Sequence, residues 1–170
     1  MKGFVLIGYR CTGKTTVGRI LARRRDMPFA DTDEIIEERT GKTVTQLVGE
    51  GGWPFFREKE CEALEAVASQ GPLVLATGGG IVESERNRKS LKLIGFVIWL
   101  TASLDEIERR MFADPGTSRG RPPLSGKDRR AEIEETLVRR EQFYAATADL
   151  VVDTTDRSIV SIVEEILYET

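Results

Sequence analysis

The stretch Gly8-Tyr9-Arg10-Cys11-Thr12-Gly13-Lys14-Thr15 decides how this chain is read. It fits the spacing GxxxxGK[ST], follows the apolar run Phe4-Val5-Leu6-Ile7, and opens a segment of helical period from Thr15 to Arg25. A strand, a glycine-bearing loop and a helix start in that order make a cradle for phosphate. Successive backbone N–H groups turn inward, the helix adds the positive end of its dipole, and Lys14 reaches the phosphoryl group being moved. Gly8, Cys11, Thr12, Gly13, Lys14, Thr15 and Thr16 are therefore the candidate nucleotide contacts, and the Thr15 hydroxyl is a candidate ligand of Mg²⁺. Cys11 is open to two readings: a small side chain tolerated in the loop, or a thiol whose charge the helix start and Lys14 would favour.

Outward from the loop, short apolar runs alternate with charged stretches of helical period. Leu73–Ala76, Phe96–Leu100 and Leu150–Val152 read as further buried strands, with Phe29-Ala30 a shorter one. Helices are expected over Asp33–Arg39, Arg57–Ser69, Leu104–Met111, Arg130–Ala146 and Ser158–Tyr168. This alternation implies an α/β fold with a parallel five-stranded sheet covered on both faces, and 170 residues suit one domain.

Composition narrows the chemistry. A net charge of −3 argues against a nucleic-acid surface, which draws on clustered Lys and Arg. With no histidine, neither a Ser-His triad nor a histidine-liganded zinc site is available. Two cysteines 50 positions apart, Cys11 and Cys61, point to reduced thiols in a cytoplasm rather than a disulfide framework. No apolar segment is long enough to span a bilayer, so no membrane partner is expected.

Three further segments carry chemistry. Asp31-Thr32-Asp33 leaves the short second strand at the end where open α/β sheets bind ligands, so one carboxylate can face a metal and the other an acceptor hydroxyl. Asp33 as a simple cap of the following helix is the competing reading. Gly78-Gly79-Gly80 ends the third strand, and three glycines in a row are expected where the backbone must approach something closely. From Ala113 to Arg130 the chain carries six Pro and Gly residues among charges and reads as a mobile lid, with an ordinary surface connection as the alternative.

Taken in order, GYRCTGKTT, FADTD, FFREKE, LATGGG, GRPPL and RREQFY make the chain resemble the shikimate kinase family over essentially its whole length. The resemblance implies a three-layer sandwich like that of the P-loop nucleoside-monophosphate kinases. It implies one kinase domain over 1–170, with a lid at about 113–130 and a substrate-binding segment at about 32–61. The reaction implied is ATP-dependent phosphorylation of the shikimate 3-hydroxyl, with Mg²⁺ as cofactor, by a cytoplasmic monomer on the route to aromatic amino acids. Carried residue by residue, it makes Lys14, Asp33 and Arg121 catalytic, and Thr15 and Asp31 the metal residues. Arg57, oriented by Glu60, and Arg140 would meet the substrate carboxylate. Gly78, Gly79 and Gly80 would contact substrate by backbone. Arg110 would stack on adenine, Arg121 would close over the phosphates, and Trp53 would wall the substrate pocket. Two arginines and a carboxylate are also the residue types that an acid bearing hydroxyl groups demands. A gluconate kinase, sharing the phosphate loop and a polyhydroxy acid acceptor, is the nearest alternative. A nucleotide-binding module without catalysis is the second, and Lys14, Thr15, Asp31 and Asp33 argue against it.

Overall fold

The architecture is that of a computed structural model describing residues 2–113 and 128–170; Arg121 and most of the expected lid lie outside the described residues. In chain order the elements are β1 (Gly3–Ile7), α1 (Lys14–Arg25), β2 (Phe29–Asp31), α2 (Thr32–Thr40), α3 (Val44–Ala68) and β3 (Val74–Ala76). A 3₁₀ turn (Ile81–Glu83) then leads to α4 (Glu85–Ile94), β4 (Gly95–Thr101), α5 (Leu104–Ala113), α6 (Arg129–Thr147), β5 (Leu150–Asp153) and α7 (Ile159–Glu169).

The five strands form one parallel sheet in the order β2-β3-β1-β4-β5. With β1 central, its partners β3 and β4 lie on opposite sides, Leu6 pairing with Ala76 and with Ile98. The period of two along β1 sends alternate side chains into two cores. Phe4 and Leu6 pack with Val17 and Leu21 of α1 and Ile162 and Ile166 of α7. Val5 and Ile7 pack with Leu64 of α3, Leu91 of α4 and Tyr144 of α6. Burial on both faces is why these strands are continuous apolar runs rather than alternating ones.

Two segments are helical where no helix was expected. Residues 44–56 extend α3 toward its N-terminus through Gly49, Gly51, Gly52 and Pro54, residues that ordinarily punctuate a helix. The helix is indeed interrupted there, with Gly52 at φ +74°, and its start is fixed by a capping box between Thr43 and Gln46. Val44, Leu47 and Phe56 then close a small core with Ile36 of α2. The second segment, α4, buries only Asn87 and Leu91 of its ten residues, too narrow a stripe to register as a period. Its signal was Ser84, whose hydroxyl accepts from the Asn87 N–H.

Candidate active site

The carboxyl ends of β1, β2 and β3 converge, and the chemistry-bearing residues leave the sheet there. After β1 the loop turns through positive φ at Gly8, Cys11 and Gly13. Cys11, at φ +62°, holds a left-handed conformation that glycine adopts more cheaply, so the loop bears some strain at that residue. The buried Lys14 ammonium donates to the carbonyls of Gly8 (2.8 Å) and Tyr9 (2.6 Å) and is thereby held inside the loop. Thr12 donates to the Tyr9 carbonyl at 2.8 Å. Cys11, Gly13, Lys14, Thr15 and Thr16 line a large open cleft, while Gly8 and Thr12 sit behind it and shape the loop.

At the end of β2, Asp31 does two things at once. Its Oδ1 accepts from the Asp33 N–H at 3.0 Å, capping α2, and its Oδ2 accepts from the Thr15 hydroxyl at 2.8 Å. The helix cap is therefore Asp31, which corrects the alternative that gave this job to Asp33. Relieved of it, Asp33 lies in the first turn of α2 and lines both the nucleotide cleft and a second recess beside it.

That recess is lined by Tyr9, Asp33, Trp53, Phe56, Arg57, Glu60, Gly78, Gly79, Gly80 and Arg140. Arg57 donates from Nη1 to Glu60 at 2.6 Å, and its guanidinium lies 5.3 Å from the Trp53 ring centroid. Glu60 is wholly buried, and burial pushes its carboxyl above the usual range despite the Arg57 charge beside it. Arg140, 4% exposed, donates from Nε to Glu83 at 2.6 Å. Burial alone would raise the Glu83 carboxyl, but the charge and hydrogen bond of Arg140, together with the charges of Arg57 and Arg139, outweigh it and hold Glu83 below its ordinary value.

The glycine run supplies the close approach its composition implied. A Cβ on Gly80 would lie 2.0 Å from the Arg57 guanidinium. The Gly79 carbonyl accepts from the Tyr144 hydroxyl at 2.5 Å, and the Gly78 N–H donates to Thr32 at 2.9 Å. Tyr144 is buried, which pushes its phenol up to about 12 and keeps it a neutral donor. Arg110 donates to Glu106 (2.7 Å), to the Cys11 carbonyl (3.1 Å) and to the Thr154 carbonyl (2.7 Å), tying α5 to the phosphate loop.

Sequence reasoning missed Glu83, Tyr9, Phe56 and Tyr144 as parts of this site. Glu83 follows the glycine run by three residues with nothing in its surroundings to mark it, and the aromatics read as core. Tyr144 is the one with a signal, standing four residues after Arg140 on the same helix face.

Comparisons with known proteins bear on the family. The family profile described as shikimate kinase matches residues 10–170. A shikimate kinase of Syntrophus aciditrophicus is 44% identical, covering 98% of this chain and 89% of its own. Shikimate kinase 2 of Sodalis glossinidius is 42% identical, over 96% and 94%. Among solved structures, shikimate kinase from Acinetobacter baumannii in complex with shikimate aligns with TM-score 0.92 at 30% identity, covering 99% and 92% of the two chains. A gluconokinase from Sinorhizobium meliloti aligns at TM-score 0.56 with 18% identity, a likeness of fold alone.

Proposed function

The chain belongs to the shikimate kinase family and phosphorylates shikimate with ATP, and we propose a division of that reaction among its own residues. Lys14 and the backbone N–H groups of residues 11–16 take the phosphates and stabilise charge as the phosphoryl group moves. Asp33 accepts a hydrogen bond from the shikimate 3-hydroxyl and takes its proton as that oxygen attacks. Arg57 and Arg140 bind the carboxylate in the recess, and Trp53 and Phe56 wall it. The glycine run fits the substrate ring by backbone, and Arg110 serves the adenine end of the cleft.

The observation that carries this reading is the position of Asp33, common to the cleft beside Lys14 and to the recess holding Arg57 and Arg140. An acceptor whose carboxylate sits on the arginines can present a hydroxyl at Asp33 to a phosphate on Lys14.

Thr15 and Asp31 would hold Mg²⁺. Their paired oxygens, 2.8 Å apart beside Lys14, are hard donors of the right type. Among the described residues no group of three or more His, Cys, Asp or Glu forms a fuller cage, which suits an ion that keeps water and phosphate oxygens. When bound, the ion neutralises charge on the phosphates.

We read the protein as a cytoplasmic monomer with no nucleic-acid or membrane partner. In support, the net charge is −3, no disulfide joins Cys11 and Cys61, and no described helix is long and apolar enough to cross a membrane. The deciding experiment is ADP release from the purified protein with MgATP and either shikimate, gluconate or no acceptor. Release should depend on shikimate, and release driven by gluconate would hand the assignment to the alternative kinase.

A further inference from the structure

Resting on the assignment of Arg57 and Arg140 to the substrate carboxylate, we infer that Glu83 is a positioning residue for substrate recognition. It fixes the two guanidinium groups side by side at the recess. Its carboxylate accepts from Arg140 Nε at 2.6 Å with one oxygen, and the other lies 3.8 Å from Arg57 Nε. Glu83 thus bridges α3 and α6, the two helices that bring the arginines in. Arg139, more exposed, completes the cluster at 3.1 Å.

The bridge is itself anchored. The 3₁₀ turn that carries Glu83 begins directly after Gly80, so the carboxylate and the glycine run belong to one continuous segment, in which the Glu83 N–H donates to the Gly80 carbonyl at 3.1 Å. From α4, Arg88 donates to the carbonyls of Val82 (2.6 Å) and Glu83 (3.2 Å), and its guanidinium lies 4.7 Å from the Phe143 ring centroid. A planar cation recognises a carboxylate through a narrow range of orientations, so holding its Nε edge determines what its remaining nitrogens can reach. The same carboxylate supplies the opposite charge that a buried guanidinium requires.

Charge and orientation pull in opposite directions. Removing a negative charge beside the site would by Coulomb attraction alone tighten an anionic substrate; losing the arginine placement would loosen it. Placement should win, because the bond to Arg140 is short and the arginine cannot be reoriented by solvent.

The test is calorimetric binding of shikimate and of its neutral carboxamide to wild type, Glu83→Ala, Glu83→Gln and Arg140→Ala. Wild type should prefer shikimate. Glu83→Ala should weaken shikimate roughly tenfold, the loss of one charge-assisted contact, with little change for the carboxamide. Glu83→Gln keeps an oxygen that can accept from Arg140 Nε, so it should fold normally and recover part of the loss. MgATP affinity and kcat at saturating shikimate should stay near wild type. Equal weakening of shikimate and carboxamide, a parallel loss for MgATP, or tighter shikimate binding in Glu83→Ala would overturn the inference. If Arg140→Ala itself leaves the preference for shikimate over its carboxamide intact, the carboxylate assignment fails; if Arg140→Ala abolishes it and Glu83→Ala does not, the Glu83 inference alone fails.

Discussion

At the scale of single residues, the proposed division of labour puts Lys14 and Asp33 at the two ends of one transfer. Lys14→Ala removes charge stabilisation on the phosphates, whereas Asp33→Asn leaves the P-loop intact and removes the proton acceptor at the sugar-like ring. Each should lower kcat by about 10² or more, and shikimate binding should separate them, being nearly unaffected in Lys14→Ala. Wild-type turnover by Asp33→Asn at saturating shikimate would remove Asp33 from the chemistry. Glu83 also has a pH signature. Because Arg140, Arg57 and Arg139 together hold its folded carboxyl below the ordinary 4.5 against the effect of burial, it contributes stability that is fully present above that value and is lost as pH falls through the lower folded one. The stability gap between wild type and Glu83→Gln should therefore narrow on acidification below 4.5, measured by urea midpoints from neutral pH downward. A gap constant with pH would mean that ionised Glu83 adds nothing to the fold.

Among the elements, the start of α2 gives one carboxylate two partners. Asp31 caps the helix with one oxygen and meets Thr15 with the other, so Asp31→Asn and Asp31→Ala should part company. Asparagine caps nearly as well as aspartate and should cost little stability, whereas alanine should cost about 1 kcal/mol. Both remove the charge that the proposed assignment gives to Mg²⁺. Each should raise the Mg²⁺ concentration that supports half-maximal ADP release, with thermal unfolding distinguishing the two variants. An unchanged Mg²⁺ requirement in Asp31→Asn would leave Asp31 with the cap alone. The break at Gly52 has a comparable effect on α3, letting one continuous segment offer Trp53, Phe56, Arg57 and Glu60 to the recess while Val44 and Leu47 fold back onto α2.

For the whole molecule, the parallel sheet gathers segments far apart in the chain at one edge. Asp33 and Arg57 from the β2–β3 connection, Gly80 from the β3–β4 connection and Arg140 from the β4–β5 connection meet at the ends of β1, β2 and β3, which lie side by side. Among the described residues, the large exposed apolar side chains, in contrast, are spread over α4 (Leu93), α5 (Phe112), α6 (Val138), β5 (Val151) and α7 (Val160, Tyr168). Single exposed residues of this kind do not make an association surface. Sedimentation at micromolar concentration should give one species near the 19.0 kDa chain mass, and a dimer would show that a surface has been misjudged.

Much of this was legible from the chain alone, because the features concerned are local. A phosphate loop is a run of eight residues between a strand and a helix, and its spacing carries its function. Buried parallel strands announce themselves as short apolar runs, and the ordered motifs from GYRCTGKTT to RREQFY identified the family and the substrate. What only the tertiary structure decided depends on approach between distant segments. That Asp31 rather than Asp33 caps α2 turns on the backbone angle at which β2 hands over to the helix. That a side chain at residue 80 would displace Arg57 follows from a guanidinium 23 positions earlier in the chain lying against Gly80. Glu83 is an ordinary acidic residue in one dimension. It becomes the link between Arg57 and Arg140 only when α3 and α6 pack on the same face of the sheet and bring two like charges together, which a carboxylate must then hold.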